Sequence, residues 1–103
     1  MSFDKQTALN AIYAAIDEIN ETLEDGQRLD KSPNEIIFGD GGKVDSVGLV
    51  NLVMATEQQL YDLAGQEVLL ASEAAMSRKR SPYRSVDALA DYAVEVATGA
   101  DAA

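Results

Sequence analysis

Between Ala8 and Leu23 the apolar residues Leu9, Ile12, Tyr13, Ile16, Ile19 and Leu23 return at steps of three and four, with Asp17, Glu18 and Glu21 among the polar positions between them. That period predicts an amphipathic helix from Phe3 or Asp4 to Glu24, stopped near Gly26. It lapses between Gln27 and Asp45, where Ser32-Pro33, Gly39, Gly41 and Gly42 punctuate a connection far longer than an ordinary helix-to-helix loop. Ile36, Ile37 and Phe38 give this loop apolar anchors, so it is expected to pack on the core. A second helix is expected from Asp45-Ser46, either of which can cap its first turn, to about Tyr61. Ser72-Glu73 could cap a short third helix through Met76, after the apolar run Val68-Leu69-Leu70. Past the breaker Pro82, Ser85 caps a last helix with the stripe Val86, Leu89, Ala93 and Val96, ending near Ala97.

No internal repeat and no strand pattern longer than a few residues is visible. The expected fold is all-α, a small four-helix bundle with three longer helices, one short third helix and a long loop between helices one and two. Residues 1–103 read as a single domain, with a core over about 4–97 and a tail at 98–103. The core is expected to use Leu9, Ile12, Ile16 and Ile19 of the first helix, Leu52, Val53 and Leu60 of the second, and Leu89 and Val96 of the last.

The second helix carries more apolar surface than one core face needs. At 100° per residue, Leu49, Leu52, Val53, Thr56 and Leu60 share one side, while Val47, Val50 and Met54 fall opposite. This second stripe has two readings: a helix buried on both sides by the long loop and the short third helix, or a partner-docking strip rimmed in part by Glu57 and Asp62.

Composition narrows the chemistry. The chain of 103 residues has no Cys, no His and no Trp, which removes disulfides, thiolate nucleophiles, the commonest general base and the commonest zinc ligands. Scattered carboxylates form no catalytic constellation, so no enzyme and no metal site is expected. A net charge of -10 disfavours nucleic acid and anionic lipid and favours partners with basic patches. The segment Arg78 to Arg84 holds four of the eight basic residues, and reads as a solvated loop or a local anion contact. The start of the chain shows no basic-then-apolar signal, and no uncharged stretch is longer than Ser46 to Thr56, far below the ~20 residues a membrane span needs. The expectation is a cytoplasmic, acidic monomer with no membrane span.

The stretch from Gly39 to Glu57, Gly-Asp-Gly-Gly-Lys-Val-Asp-Ser-Val-Gly-Leu-Val-Asn-Leu-Val-Met-Ala-Thr-Glu, resembles the signature of the acyl carrier proteins, in which a glycine-containing loop leads into Asp-Ser and an aliphatic residue. Helix order, the long first loop and the closing Ser85 to Tyr92 extend the resemblance over nearly the whole chain. It implies that Ser46, beside the motif residue Asp45, receives 4'-phosphopantetheine from coenzyme A through a phosphopantetheinyl transferase. It further implies that the arm holds acyl intermediates for acyl-loading and acyl-processing enzymes of fatty-acid, polyketide or specialised lipid synthesis, with Val47, Val50, Met54 and Glu57 facing those partners. A serine at a helix start suits a phosphodiester, because first-turn N–H groups and the dipole favour an anion there. Asn51, Gln58 and Gln59 stand where carriers of fatty-acid synthesis commonly have acids, which with the basic segment points to a specialised member. The alternatives are an aminoacyl or peptidyl carrier, or an unmodified acidic helical adaptor that uses the apolar strip alone.

Other signals fall away. Gly39 to Lys43 is too short for a phosphate-binding loop, and Val44 stands where Ser or Thr is required. Asp40 and Asp45 are too few for a calcium loop. Asn20-Glu21-Thr22 matches a glycosylation acceptor inside the first helix.

Overall fold

The structure, a computed structural model, describes residues 4–23, 26, 28–39, 41–71 and 81–98. Among these the chain is all-helical, with three helices and no strand: α1 Lys5–Asn20, α2 Ser46–Ala64 and α3 Val86–Thr98. The short helix expected at Ser72 to Met76 lies outside the described residues, so the described part is a three-helix arrangement rather than the expected four-helix bundle.

Helix α1 begins where Asp4 takes the cap, its carboxylate accepting from the Thr7 amide and hydroxyl, both at 2.9 Å. Its buried face is Ala8, Ala11, Ile12, Ala15, Ile16 and Ile19, the three- and four-residue steps of one helical side. The helix stops at Asn20, four residues before the expected Glu24. A tertiary clasp ends it: Asn20 Nδ2 donates to the Leu29 carbonyl and Asn20 Oδ1 accepts from the Leu29 amide, each at 2.9 Å. Thr22 and Leu23 meanwhile donate to Ile19 and Asn20, three residues back, which tightens the turn and takes the chain off the helix axis. Leu9 and Val96, expected in the core, are half-buried and packed against it, while Ala8, Ala11 and Ala15 of α1 and Ala90 and Ala93 of α3 take fully buried positions.

The long loop is packed, as its apolar anchors predict. Leu29 and Ile37 are buried, whereas Phe38 is half-buried and Ile36 is partly exposed. An isolated antiparallel bridge joins Ile36 to Ser85. The Ile37 amide donates to the Arg84 carbonyl, and the Val86 and Asp87 amides donate to the Glu35 and Pro33 carbonyls. The loop thereby satisfies first-turn donors of α3, and Ser85 Oγ accepts from the Ala88 amide as the expected cap.

Helix α2 runs three residues past the expected Tyr61, to Ala64. Nothing breaks it before Gly65, which adopts φ 65°, the left-handed conformation that glycine enters without steric cost, and donates to the Tyr61 carbonyl. Its buried residues are Leu49, Leu52, Val53, Thr56 and Leu60, the side expected to face the core. Thr56 Oγ1 donates to the Leu52 carbonyl at 2.8 Å, so its burial leaves no orphaned hydroxyl. Helix α1 packs against both α2 and α3. Beyond α2 the chain alternates, Val68 and Leu70 inward and Leu69 outward.

Candidate functional site

The loop before α2 places the start of that helix. The Gly42 amide donates to the Gly39 carbonyl and the Val44 amide to the Ile37 carbonyl, folding Gly42–Val44 back on the buried Ile37. A Cβ at Gly42 would stand 2.7 Å from both the Ile37 carbonyl oxygen and the Phe38 Cα, so only glycine permits this approach. Lys43 braces the fold from the other side, donating to the Glu35 carboxylate at 2.8 Å and to the Arg28 carbonyl. Burial pushes the Glu35 carboxyl up, but the hydrogen bonds from Lys43 and the Asp30 amide outweigh it, and the net pKa lies below the ordinary glutamate value.

Of the two residues that could cap α2, Asp45 does so: Oδ1 accepts from the Gly48 amide at 2.8 Å. Ser46 is the first residue of the helix and is exposed. It sits on the edge of a cleft of about 750 Å³ between the start of α2, the long loop and the residues leading into α3. Ile36, Phe38, Leu49, Val50 and Tyr83 form its apolar walls, with Arg84 among the polar residues at its margin. A primary hydroxyl thus stands at the positive end of a helix, beside apolar space. In a chain without His or Cys, the hydroxyl is suited to receive a group rather than to attack one unaided. An arm attached there would have both solvent and the cleft within reach.

Val47, Val50 and Met54 lie on the exposed side of α2, at 66%, 50% and 60% exposure, so the helix is not buried on both sides along this strip. Tyr61, Leu63 and Leu69 extend the exposed apolar surface toward the far end of the helix. Glu57 is different. It is half-buried, and its Oε2 accepts from the Leu70 amide at 2.7 Å and the Ala71 amide at 3.3 Å. The Leu70 carbonyl in turn accepts from the Tyr83 hydroxyl at 2.5 Å. Glu57 of α2 and Tyr83 therefore both hold one short strap of chain, Leu70 and Ala71. The sequence reading missed both roles, since partners 13 residues apart leave no local signal.

Among the described residues no group of three or more acidic side chains is placed to hold a metal ion, and no helix is long and apolar enough to cross a membrane. No protein-family model, no curated protein and no solved structure matches the chain.

Proposed function

We propose that this protein is a carrier modified on Ser46 by 4'-phosphopantetheine. The observation that carries the reading is the placement of Ser46: first in α2, exposed, relieved of capping by Asp45, and on the edge of an apolar cleft. The residues present fit such a group, because the hydroxyl is accessible and the cleft lies next to it. The arm, once attached, supplies the terminal thiol that this Cys-free chain lacks, for holding acyl groups as thioesters. In the attachment, Ser46 Oγ forms the new O–P bond at coenzyme A while the P–O bond of its pyrophosphate bridge breaks. The electron pair leaves with 3',5'-ADP, and the hydroxyl proton passes to a base of the transferase. The first-turn N–H groups and positive dipole end of α2 would favour the negative charge of a phosphodiester at Ser46.

On this reading the protein works as a cytoplasmic monomer that meets a transferase and then acyl-loading and acyl-processing enzymes, through Val47, Val50 and Met54. Exposure of that strip together with Tyr61 and Leu69 favours a second reading, an unmodified acidic helical adaptor. Intact-mass measurement after incubation with coenzyme A and a broad-specificity transferase separates the two. A single pantetheinyl adduct, absent from Ser46→Ala, supports the carrier; an unchanged mass leaves the adaptor.

A further inference from the structure

We infer that Tyr83 sets the length of apolar cargo this protein can shelter, by closing the inner end of the cleft beside Ser46. The inference deepens the carrier reading and rests on it for the identity of the cargo, but the partition itself is a property of the chain alone. A second cavity of about 50 Å³ lies one helical turn further along α2, lined by Val53, Met54 and Ala71. Leu49, Val50 and Tyr83 line both spaces, and so form the wall between them. Two of the three belong to α2; the third reaches across from the segment that enters α3.

Tyr83 is suited to be a fixed wall. It is 5% exposed, and its hydroxyl is anchored on the Leu70 carbonyl. The same peptide segment is held from α2 by Glu57 through the Leu70 and Ala71 amides. To move the ring aside, a chain entering from Ser46 would have to break a buried hydrogen bond and displace a strap that is tied at both faces. A flexible side chain such as Met would yield, whereas a tyrosine ring tied by its hydroxyl stops the chain. The cargo class that follows is an aliphatic acyl group whose sheltered carbons end before Tyr83. Longer chains would keep their outer carbons outside the fold.

Two measurements test this. In the first, Ser46 is loaded from coenzyme A thioesters from butanoyl to tetradecanoyl, and the melting temperature of each form is compared with that of the unacylated arm-bearing protein. A tail sheltered only by the folded state raises the midpoint. In the wild type the gain is expected to grow with length and then stop. In Tyr83→Ala the stop moves to longer chains by at least one two-carbon step, and Tyr83→Phe, which keeps the ring but loses the hydroxyl tie to Leu70, moves it in the same direction by less. Tyr83→Leu serves if the alanine variant does not fold. In the second, the unmodified chain is titrated with hexan-1-ol and octan-1-ol and followed by methyl NMR. Shifts in the wild type are expected at Ile36 but not at Val53 or Ala71, and are expected to spread to Val53 and Ala71 in Tyr83→Leu. Alkanol shifts at Val53 and Ala71 in the wild type, or the same stopping length in the wild type and the small-residue variants, overturn the inference. If Ser46 accepts no arm, the carrier reading fails, and the alkanol titration alone decides the role of Tyr83.

Discussion

At the start of α2 two adjacent side chains divide the work, and the division makes Ser46 dispensable to the fold. Asp45 supplies the cap through Gly48, so Asp45→Ala should cost about 0.5–2 kcal/mol in urea unfolding. Ser46→Ala, a change at an exposed position outside the cap, should stay within about 0.5 kcal/mol of the wild type while abolishing pantetheinyl uptake by intact mass. Uptake that persists in Ser46→Ala would remove the serine from the proposal. Glu57 calls for a different expectation from its neighbours on α2. Its carboxylate serves the Leu70 and Ala71 amides, so Glu57→Ala should destabilise by about 1–3 kcal/mol and speed hydrogen exchange at both amides. Met54→Ala, at an exposed position, should leave exchange there unchanged and act on partner binding alone. If Glu57→Ala alters delivery with exchange at Leu70 untouched, then the carboxylate meets partners directly and the strap is not its main duty.

At the scale of elements, the helices were legible because their period is local, and their ends were not, because tertiary contacts set them. The steps from Ile12 to Ile19 suffice to place α1 and its buried side. Its stop at Asn20 depends on Leu29, nine residues on, and no pattern within the helix announces that clasp. Asp45-Ser46 was legible as a helix start for the same local reason, whereas the cleft beside it was not, since Tyr83 arrives from 37 positions away. The long loop shows how such distant parts are fixed. Glu35 joins it to α3 through its carbonyl and to Lys43 through its carboxylate. With its folded pKa held below the ordinary glutamate value of 4.5, Glu35 binds fewer protons in the folded chain than in the unfolded one between those two values. Its contribution to stability is therefore fully present above about pH 4.5 and is lost as pH falls through the lower, folded pKa. Lys43, raised above 10.5 by Glu35, contributes below that pH and loses its contribution as pH rises through its folded pKa. Glu35→Gln should flatten the acid limb of a stability–pH curve measured by urea unfolding. An acid limb identical to that of the wild type would place the titrating groups elsewhere.

For the molecule as a whole, charge is the largest imbalance. Residues 1–62 hold twelve acids against four bases, within a chain of net charge -10. Three of the four bases there form ion pairs: Lys5 with Asp87 and Asp91, Lys31 with Asp17, Lys43 with Glu35 and Asp30. Salt acts on two opposed effects, weakening these attractions and weakening the repulsion among the remaining acids. The pairs are mostly exposed and short in reach, so each contributes little. Repulsion is collective, and the radius of gyration of 12.7 Å is close to the Debye length of about 10 Å at 0.1 M salt. At about 10 mM salt the Debye length grows to about 30 Å, comparable with the size of the fold, so the acids repel one another across it and repulsion wins. The melting temperature should therefore rise from about 10 mM to about 150 mM sodium chloride. Magnesium should raise it further at equal ionic strength, by general attraction to the acidic surface. A melting temperature that falls with added salt would mean that the pairs of Lys5, Lys31 and Lys43 hold the three helices and their loop together more strongly than the excess acids push them apart.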